Sequence, residues 1–185
     1  MLDTGARVGA KTLLAPASTA KDCDPNRIAE DLLWLSEAAA QRKMRIAYEA
    51  MAWSRFNNTL PAAWNLVREL DRPNVGVVVD SYHTFVRGLT VANMDGIPAD
   101  RIFLVQFSDL AEFVPPSDYK EVARHERLLP GSGKLPLMDL VTALKLRGYE
   151  GPVGLEVFND QLQSQQPGMV ARHAFEALRS LWSAA

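Results

Sequence analysis

The sequence predicts an α/β fold in which parallel strands alternate with crossover helices, and three observations carry that prediction. Short apolar runs bounded by turn residues recur between stretches of helical periodicity. Four of those runs end in an oxygen-bearing polar side chain: Arg45-Ile-Ala-Tyr48 before Glu49, Val75-Gly-Val-Val-Val79 before Asp80, Ile102-Phe-Leu-Val105 before Gln106, and Val153-Gly-Leu155 before Glu156. The 185 residues are 48% hydrophobic and 23% charged, which suffices for one core, so residues 1–185 are read as a single domain.

Each element follows from local signals. Thr12 to Ala17 reads as the first strand. Asp24 with Pro25 supplies an N-cap and a first-turn proline, after which Ile28, Leu32, Leu35 and Ala39 recur at helical spacing up to about Gln41. Arg45 to Glu49 is the second strand. Thr59 and Pro61 open a helix whose apolar face is Ala63, Trp64, Val67 and Leu70, broken by Asp71-Arg72-Pro73-Asn74. Val75 to Asp80 is the third strand, and the stretch from Ser81 to Met94 holds a helix. Ile102 to Phe107 is a further strand. Asp109 to Arg127 forms a polar loop with adjacent prolines at 115 and 116, a length that compact domains reserve for function. Leu137 to Leu146 is helical, Val153 to Phe158 is the last strand, and Pro167 begins a closing helix through Leu181.

The four polar strand ends are separated by 31, 26 and 50 residues. A (β/α)8 barrel uses roughly 31 residues per βα unit, so the last interval reads as two units with a weak strand near Arg127 to Leu129. Six units are then visible. The expectation is a TIM-barrel type fold lacking about two N-terminal βα units: either a truncated form, or an open sheet whose edges are covered by a homo-oligomer.

Composition excludes several classes of function. A net charge of −2 with no basic stripe gives no phosphate footprint, so no nucleic-acid partner is expected. No apolar run is long enough to span a membrane, and the N-terminal stretch carries an acid where a signal peptide needs basic residues. One cysteine, Cys23, cannot form an intramolecular disulfide, and a cytoplasmic location is expected.

Five stretches together carry a resemblance: Tyr48-Glu49-Ala-Met-Ala-Trp53-Ser-Arg55, Val79-Asp80-Ser-Tyr-His83, Ile102-Phe-Leu-Val-Gln106-Phe-Ser-Asp109, Arg124-His125-Glu-Arg127-Leu-Leu-Pro130-Gly131-Ser-Gly133, and Gly148-Tyr-Glu-Gly-Pro152-Val-Gly-Leu-Glu156-Val-Phe158-Asn159-Asp160. They resemble the xylose-isomerase-like TIM-barrel superfamily of sugar phosphate isomerases and epimerases, and within it the 3-dehydroshikimate dehydratase branch, which some bacteria carry fused to a dioxygenase-like domain. The resemblance implies a lyase that forms protocatechuate by an enolate-type elimination of water. The same machinery would serve a sugar isomerase or epimerase working through an enediolate, and a shortened homologue could be catalytically impaired.

The resemblance makes Glu49, Asp80, Gln106 and Glu156 the metal ligands. Three carboxylates and an amide are hard oxygen donors, suited to Mg²⁺, Mn²⁺ or Co²⁺. Many superfamily members have histidine where Gln106 stands, which implies a weaker, harder site. His83, three residues beyond Asp80, is the candidate catalytic base for a proton alpha to a carbonyl. Related dehydratases can carry a histidine at the position of Met51, so that base is absent here. Arg55, His125 and Arg127 are the candidates for binding a small anionic substrate, since a guanidinium offers a bidentate fork to a carboxylate. Lys134, where the dehydratase branch has an acid, and Phe56-Asn57 after Arg55 depart from the pattern and bear on substrate identity. The Gly131-Ser-Gly133 turn lacks the context of a nucleotide loop. Trp53, near a strand mouth, is a candidate wall of the pocket. His173 reads as a helix-surface histidine, and Cys23 has no assigned role.

Overall fold

Strands β1 (Thr12–Pro16), β2 (Arg45–Glu49), β3 (Val75–Asp80), β4 (Ile102–Phe107) and β5 (Val153–Leu155) form one sheet, in the order β1-β2-β3-β4-β5, with every pair parallel. This computed structural model describes residues 1–185. Eight helices accompany the strands: α1 (Leu2–Arg7), α2 (Pro25–Ala40), α3 (Leu60–Leu70), α4 (Ser81–Phe85), α5 (Tyr119–His125), α6 (Leu137–Leu146), α7 (Asp160–Gln163) and α8 (Pro167–Ala184). None is long and apolar enough to cross a membrane. The arrangement is half of a (β/α)8 barrel.

The capping signals act as the sequence implies. Asp24 accepts from the Asn26 amide at 2.9 Å, Thr59 accepts from the Ala62 amide at 3.3 Å, and Asp71 ends α3 in the left-handed region at φ 48°. The helix expected between Ser81 and Met94 is shorter. It is one turn, α4, followed after Gly88 by a 3-10 turn at Val91–Met94.

Two expectations are corrected. Arg127 to Leu129 is not a strand of the sheet, because β5 pairs directly with β4 through Val105↔Val153 and Phe107↔Leu155. Instead this segment crosses the ends of both strands as two isolated antiparallel bridges, Asp109↔Leu128 and Glu126↔Asn159. The 50-residue interval is therefore one unit with an elaborated loop, and five strands are present where six were expected. Measured against an eight-stranded barrel the shortfall is three units, not two.

Side chains alternate along each strand, and this positions the site. On the convex face Ile46, Tyr48, Val75, Val77, Val79, Ile102, Val105 and Phe107 join the larger core beneath the helices. On the concave face a smaller cluster of Leu14, Ala47, Val78, Phe103 and Leu104 forms a floor. Ala47, Val78 and Leu104 each precede a polar strand end by two residues, so Glu49, Asp80 and Gln106 project from the same face one step higher. The register shift at Val77/Val78 keeps β4 in phase by admitting both Phe103 and Leu104 to that floor. Gly76 is required here: a Cβ would lie 2.7 Å from the Phe103 ring.

Candidate active site

Glu49, Asp80 and His83 are each buried, and one potential ligand atom from each lies within 4.8 Å of the others. Asp80 caps α4: its Oδ1 accepts the His83 backbone N–H at 2.8 Å, which fixes the carboxylate and brings the imidazole back over the strand end. Glu156 sits one residue past β5 and continues the ladder by donating its N–H to the Phe107 carbonyl at 3.1 Å. Gln106 stands beside Asp80 in the β3–β4 register. Glu49 and Asp80 thus lie together with His83, and Arg127 links Asp80 to Glu156.

Arg127, expected to grip an anionic substrate, is engaged by two of the expected metal ligands. Its side chain is only 2% exposed. Nη1 lies 3.2 Å from Asp80 Oδ2 and 3.0 Å from Glu156 Oε2, while Nε donates to the Ala123 carbonyl at 2.9 Å. The guanidinium carbon stands 4.6 Å from the Tyr82 ring centroid and 5.7 Å from that of Phe158. One delocalised cation therefore offsets part of the charge that three clustered carboxylates would otherwise leave buried.

The remaining electrostatics follow from burial. Burial and then the Asp80 and Glu156 carboxylates push Glu49 up to about 9, against the pull of Arg127. Glu156 is raised for the same reasons, burial first and Asp80 second, offset by Arg127 and Gln106. His83 is lowered to about 4, chiefly by burial and with a smaller contribution from Arg127, although Asp80 opposes the change.

Two oxygen acceptors in this cluster have no hydrogen-bond partner: Glu49 Oε1 and Gln106 Oε1. Buried polar atoms without partners are costly, and such oxygens at carboxylate-bearing strand ends are what a hard cation would satisfy. Glu49, Asp80, Gln106 and Glu156 have the chemistry to hold one.

A cleft of about 440 Å³ opens beside this cluster, lined by Leu14, Pro16, Glu49, Met51, Trp53, His83, Ala123, Arg124, Arg127, Glu156 and Phe158. Trp53 meets His83 edge-on with ring centroids 5.1 Å apart, as the wall residue anticipated from sequence. The other two substrate-binding candidates stand elsewhere. Arg55 is exposed and stacks on Phe56, 5.3 Å from guanidinium carbon to ring centroid. His125 is 43% exposed, with Nδ1 3.1 Å from Asp160 and Nε2 3.7 Å from Glu121. Arg124, its neighbour on α5, reaches the cleft and was not singled out from sequence. Its place one helical turn before Arg127 was the available signal.

The loop after β4 is organised by Asp109. One carboxylate oxygen accepts from the Gly131 and Gly133 amides at 3.0 and 2.9 Å, and the other from Leu110 and Leu135 at 2.8 and 3.0 Å. Gly133 leaves room for this, since a Cβ there would strike the Leu110 carbonyl and the Asp109 carboxylate. The Gly-Ser-Gly turn thus closes on Asp109.

Residues 1–181 match the family described as xylose isomerase-like TIM barrel. The chain belongs to the xylose isomerase-like TIM-barrel family. It is 40% identical over 159 residues to a 3-dehydroshikimate dehydratase of Pseudomonas putida, covering 85% of this chain and 24% of that protein. A xylose isomerase-like TIM barrel/4-hydroxyphenylpyruvate dioxygenase fusion protein of known structure superposes with a TM-score of 0.86 at 35% identity, over 97% of this chain and 28% of the other. The IOLI protein, solved with a zinc atom, superposes with a TM-score of 0.87 at 22% identity, over 100% of this chain and 67% of that one, and it shares the barrel architecture. The chain spans about a quarter of the length of the P. putida dehydratase.

Proposed function

We propose that this member of the xylose isomerase-like family carries a divalent-metal-dependent 3-dehydroshikimate dehydratase site that forms protocatechuate by eliminating water. The observation that carries this reading is the buried oxygen cluster with its two orphaned acceptors on Glu49 and Gln106, set at the strand ends beside a cleft. The activity named for the P. putida relative supplies the substrate class. Glu49, Asp80, Gln106 and Glu156 would hold Mg²⁺, Mn²⁺ or Co²⁺. Such an ion, when bound, supplies Lewis acidity toward a carbonyl oxygen.

The chain's own residues account for the rest of the chemistry. Arg127, backed by Arg124, presents positive charge to a substrate carboxylate or ketone oxygen. Met51, Trp53 and Phe158 exclude water from the cleft. His83 supplies the imidazole that meets the substrate beside the cluster. His83 takes the proton alpha to the ketone as the electron pair moves to the ketone oxygen; the pair then returns to expel the β-hydroxyl, which leaves as water with the proton that His83 gives up. The sheet edges at β1 and β5 are taken to be covered by a second copy of the chain.

The test is to incubate the protein with 3-dehydroshikimate and each of the three ions. A new aromatic absorbance that depends on the metal supports the reading. Conversion of a ketose instead assigns isomerase chemistry to the same cluster, and metal uptake without turnover of either substrate rejects the dehydratase reading for this chain.

A further inference from the structure

We propose that Arg124 is the specificity-determining residue of the cleft, its unengaged guanidinium holding the single carboxylate of a cyclic substrate. The inference deepens the dehydratase reading and rests on it for the identity of the substrate, but carboxylate selectivity can be measured without turnover.

Two arginines line the cleft, Arg124 and Arg127. Arg127 has little left to offer a ligand. Its Nε donates to the Ala123 carbonyl, its Nη1 is shared between Asp80 and Glu156, and its side chain is 2% exposed. A guanidinium grips a carboxylate through two parallel N–H donors, and one so engaged presents no free fork. Arg124 differs on each count. It is exposed, lines the same cleft and takes part in none of the ion pairs of the fold. The carboxylates one turn back on α5 and across on α7, Glu121 and Asp160, lie against His125 instead.

The backbone that carries Arg124 is nonetheless fixed. On one side Arg127 holds the Ala123 carbonyl. On the other, the Glu126↔Asn159 bridge and the Arg127 N–H, which donates to the Phe158 carbonyl at 3.0 Å, tie the end of α5 to the segment after β5. A free cationic fork on an anchored helix end, open to a cleft, is preorganised to receive an anion.

Charge balance sets the valence of that anion. With a divalent ion bound, the carboxylates of Glu49, Asp80 and Glu156 are matched by the ion together with Arg127. Arg124 is then the one charge of the cleft lining without a counterpart, which favours a ligand bearing a single negative charge over a neutral sugar. Met51, Trp53 and Phe158 supply apolar walls for its carbon ring.

Calorimetric titration of the full chain in Mg²⁺ with protocatechuate and with 3,4-dihydroxybenzamide, in which a neutral amide replaces the carboxylate alone, isolates this contribution. The wild type should bind protocatechuate at least about tenfold more tightly than the amide, and Arg124→Met should bring the two within about twofold by weakening protocatechuate alone. Arg124→Lys keeps the charge, loses the fork and should retain part of the preference. Arg124 is exposed and makes no ion pair, so both variants should melt with the wild type. In turnover, Arg124→Met should raise KM for 3-dehydroshikimate about tenfold and change kcat much less. A wild type without a preference for protocatechuate, or an Arg124→Met chain that keeps it, overturns the proposal. If the wild type prefers protocatechuate yet converts no 3-dehydroshikimate, the dehydratase reading fails while the carboxylate site stands.

Discussion

The Arg127 guanidinium and the Asp80 carboxylate form a buried ion pair at 3.2 Å, with the two side chains 2% and 1% exposed, at the centre of the carboxylate cluster. An arginine in this position does more than await a substrate. It keeps Asp80 and Glu156 close together in the absence of a metal. Removing one partner of a buried pair leaves an uncompensated charge, so Arg127→Met is expected to destabilise the metal-free protein by about 3–5 kcal/mol. Urea unfolding measures this directly. Added Mg²⁺ should recover more stability in the variant than in the wild type, because it replaces the missing cation. A loss under ~1 kcal/mol would show that the clamp is unimportant.

The pH dependence of stability follows from groups of opposite sign, the raised carboxyls Glu49 and Glu156 against the lowered His83. Glu49, raised from 4.5 to about 9, holds its proton in the folded state where the unfolded chain has lost it. Its contribution is complete below 4.5 and is lost as pH rises toward 9. His83, lowered from 6.5 to about 4, contributes above 6.5 and loses that contribution as pH falls toward 4. Between 4.5 and 6.5 the two slopes oppose each other. Above 6.5 the raised carboxyls act without that opposition, Glu49 with Glu156 in the same direction, so the metal-free protein should lose stability steadily from neutral pH to about pH 9. Thermal melts across that range check it, and a flat profile would contradict the assigned burial of Glu49.

Metal binding should carry the complementary signature. A ligand set containing a protonated Glu49 must release that proton when it takes up a cation, so affinity should rise with pH and calorimetric heats should vary with the buffer's ionisation enthalpy. Glu156→Gln removes a charged oxygen from the set while keeping its size. It is expected to weaken Mg²⁺ binding at least ~10-fold and to abolish turnover of 3-dehydroshikimate. Unchanged activity in that variant would remove Glu156 from the ligand set.

Which parts of this arrangement were legible in the sequence has a physical explanation. Glu49, Asp80 and Gln106 could be read because a strand has a period of two, and each follows an apolar residue two positions back that forms the concave floor. Trp53 was legible as a wall for the same reason of proximity to a strand end. Arg127 was visible as an arginine, but its burial depends on segment 126–128 folding across the ends of β4 and β5, a long-range contact with no periodic signature. The same segment misled the strand count. Leu128 and Leu129 look like a short buried strand, and an assumption of uniform unit length turned a long loop into two units. Arg55 and His125 show the converse limit: nearness in sequence to the site residues Glu49 and Arg127 does not place a side chain in the cleft.

The open edges of the sheet lead to a prediction about association. β1 and β5 each present one unpaired side, and α2, which follows β1 in the chain, and α8, which follows β5, carry Trp34 and Phe175 at 69% and 62% exposure. Unpaired edges beside exposed aromatic residues favour pairing with another copy. Sedimentation velocity should therefore show concentration-dependent association, reduced by Leu14→Lys, which places a charge on the concave face beside the β1 edge. A monomer at all concentrations would contradict edge pairing.

Asp109 offers the sharpest test of how the loop after β4 is held. Its two oxygens accept four backbone N–H groups, from Leu110, Gly131, Gly133 and Leu135, and no cation approaches closely enough to form an ion pair with it. Asn is nearly isosteric but has one acceptor oxygen. Whichever way the amide is turned, its NH₂ faces two backbone donors that lose their acceptor, and the charge-assisted character of the other two bonds is lost as well. Asp109→Asn is thus expected to cost about 3 kcal/mol, well beyond an ordinary surface substitution. Because residues 126–128 are anchored through the Asp109↔Leu128 bridge, the loosened loop should also release Arg127 from the cluster. The variant should therefore lose protection of the Leu128 amide in hydrogen exchange before the β3 amides are affected, and a uniform loss of protection across the sheet would show that Asp109 supports the whole fold instead of this loop.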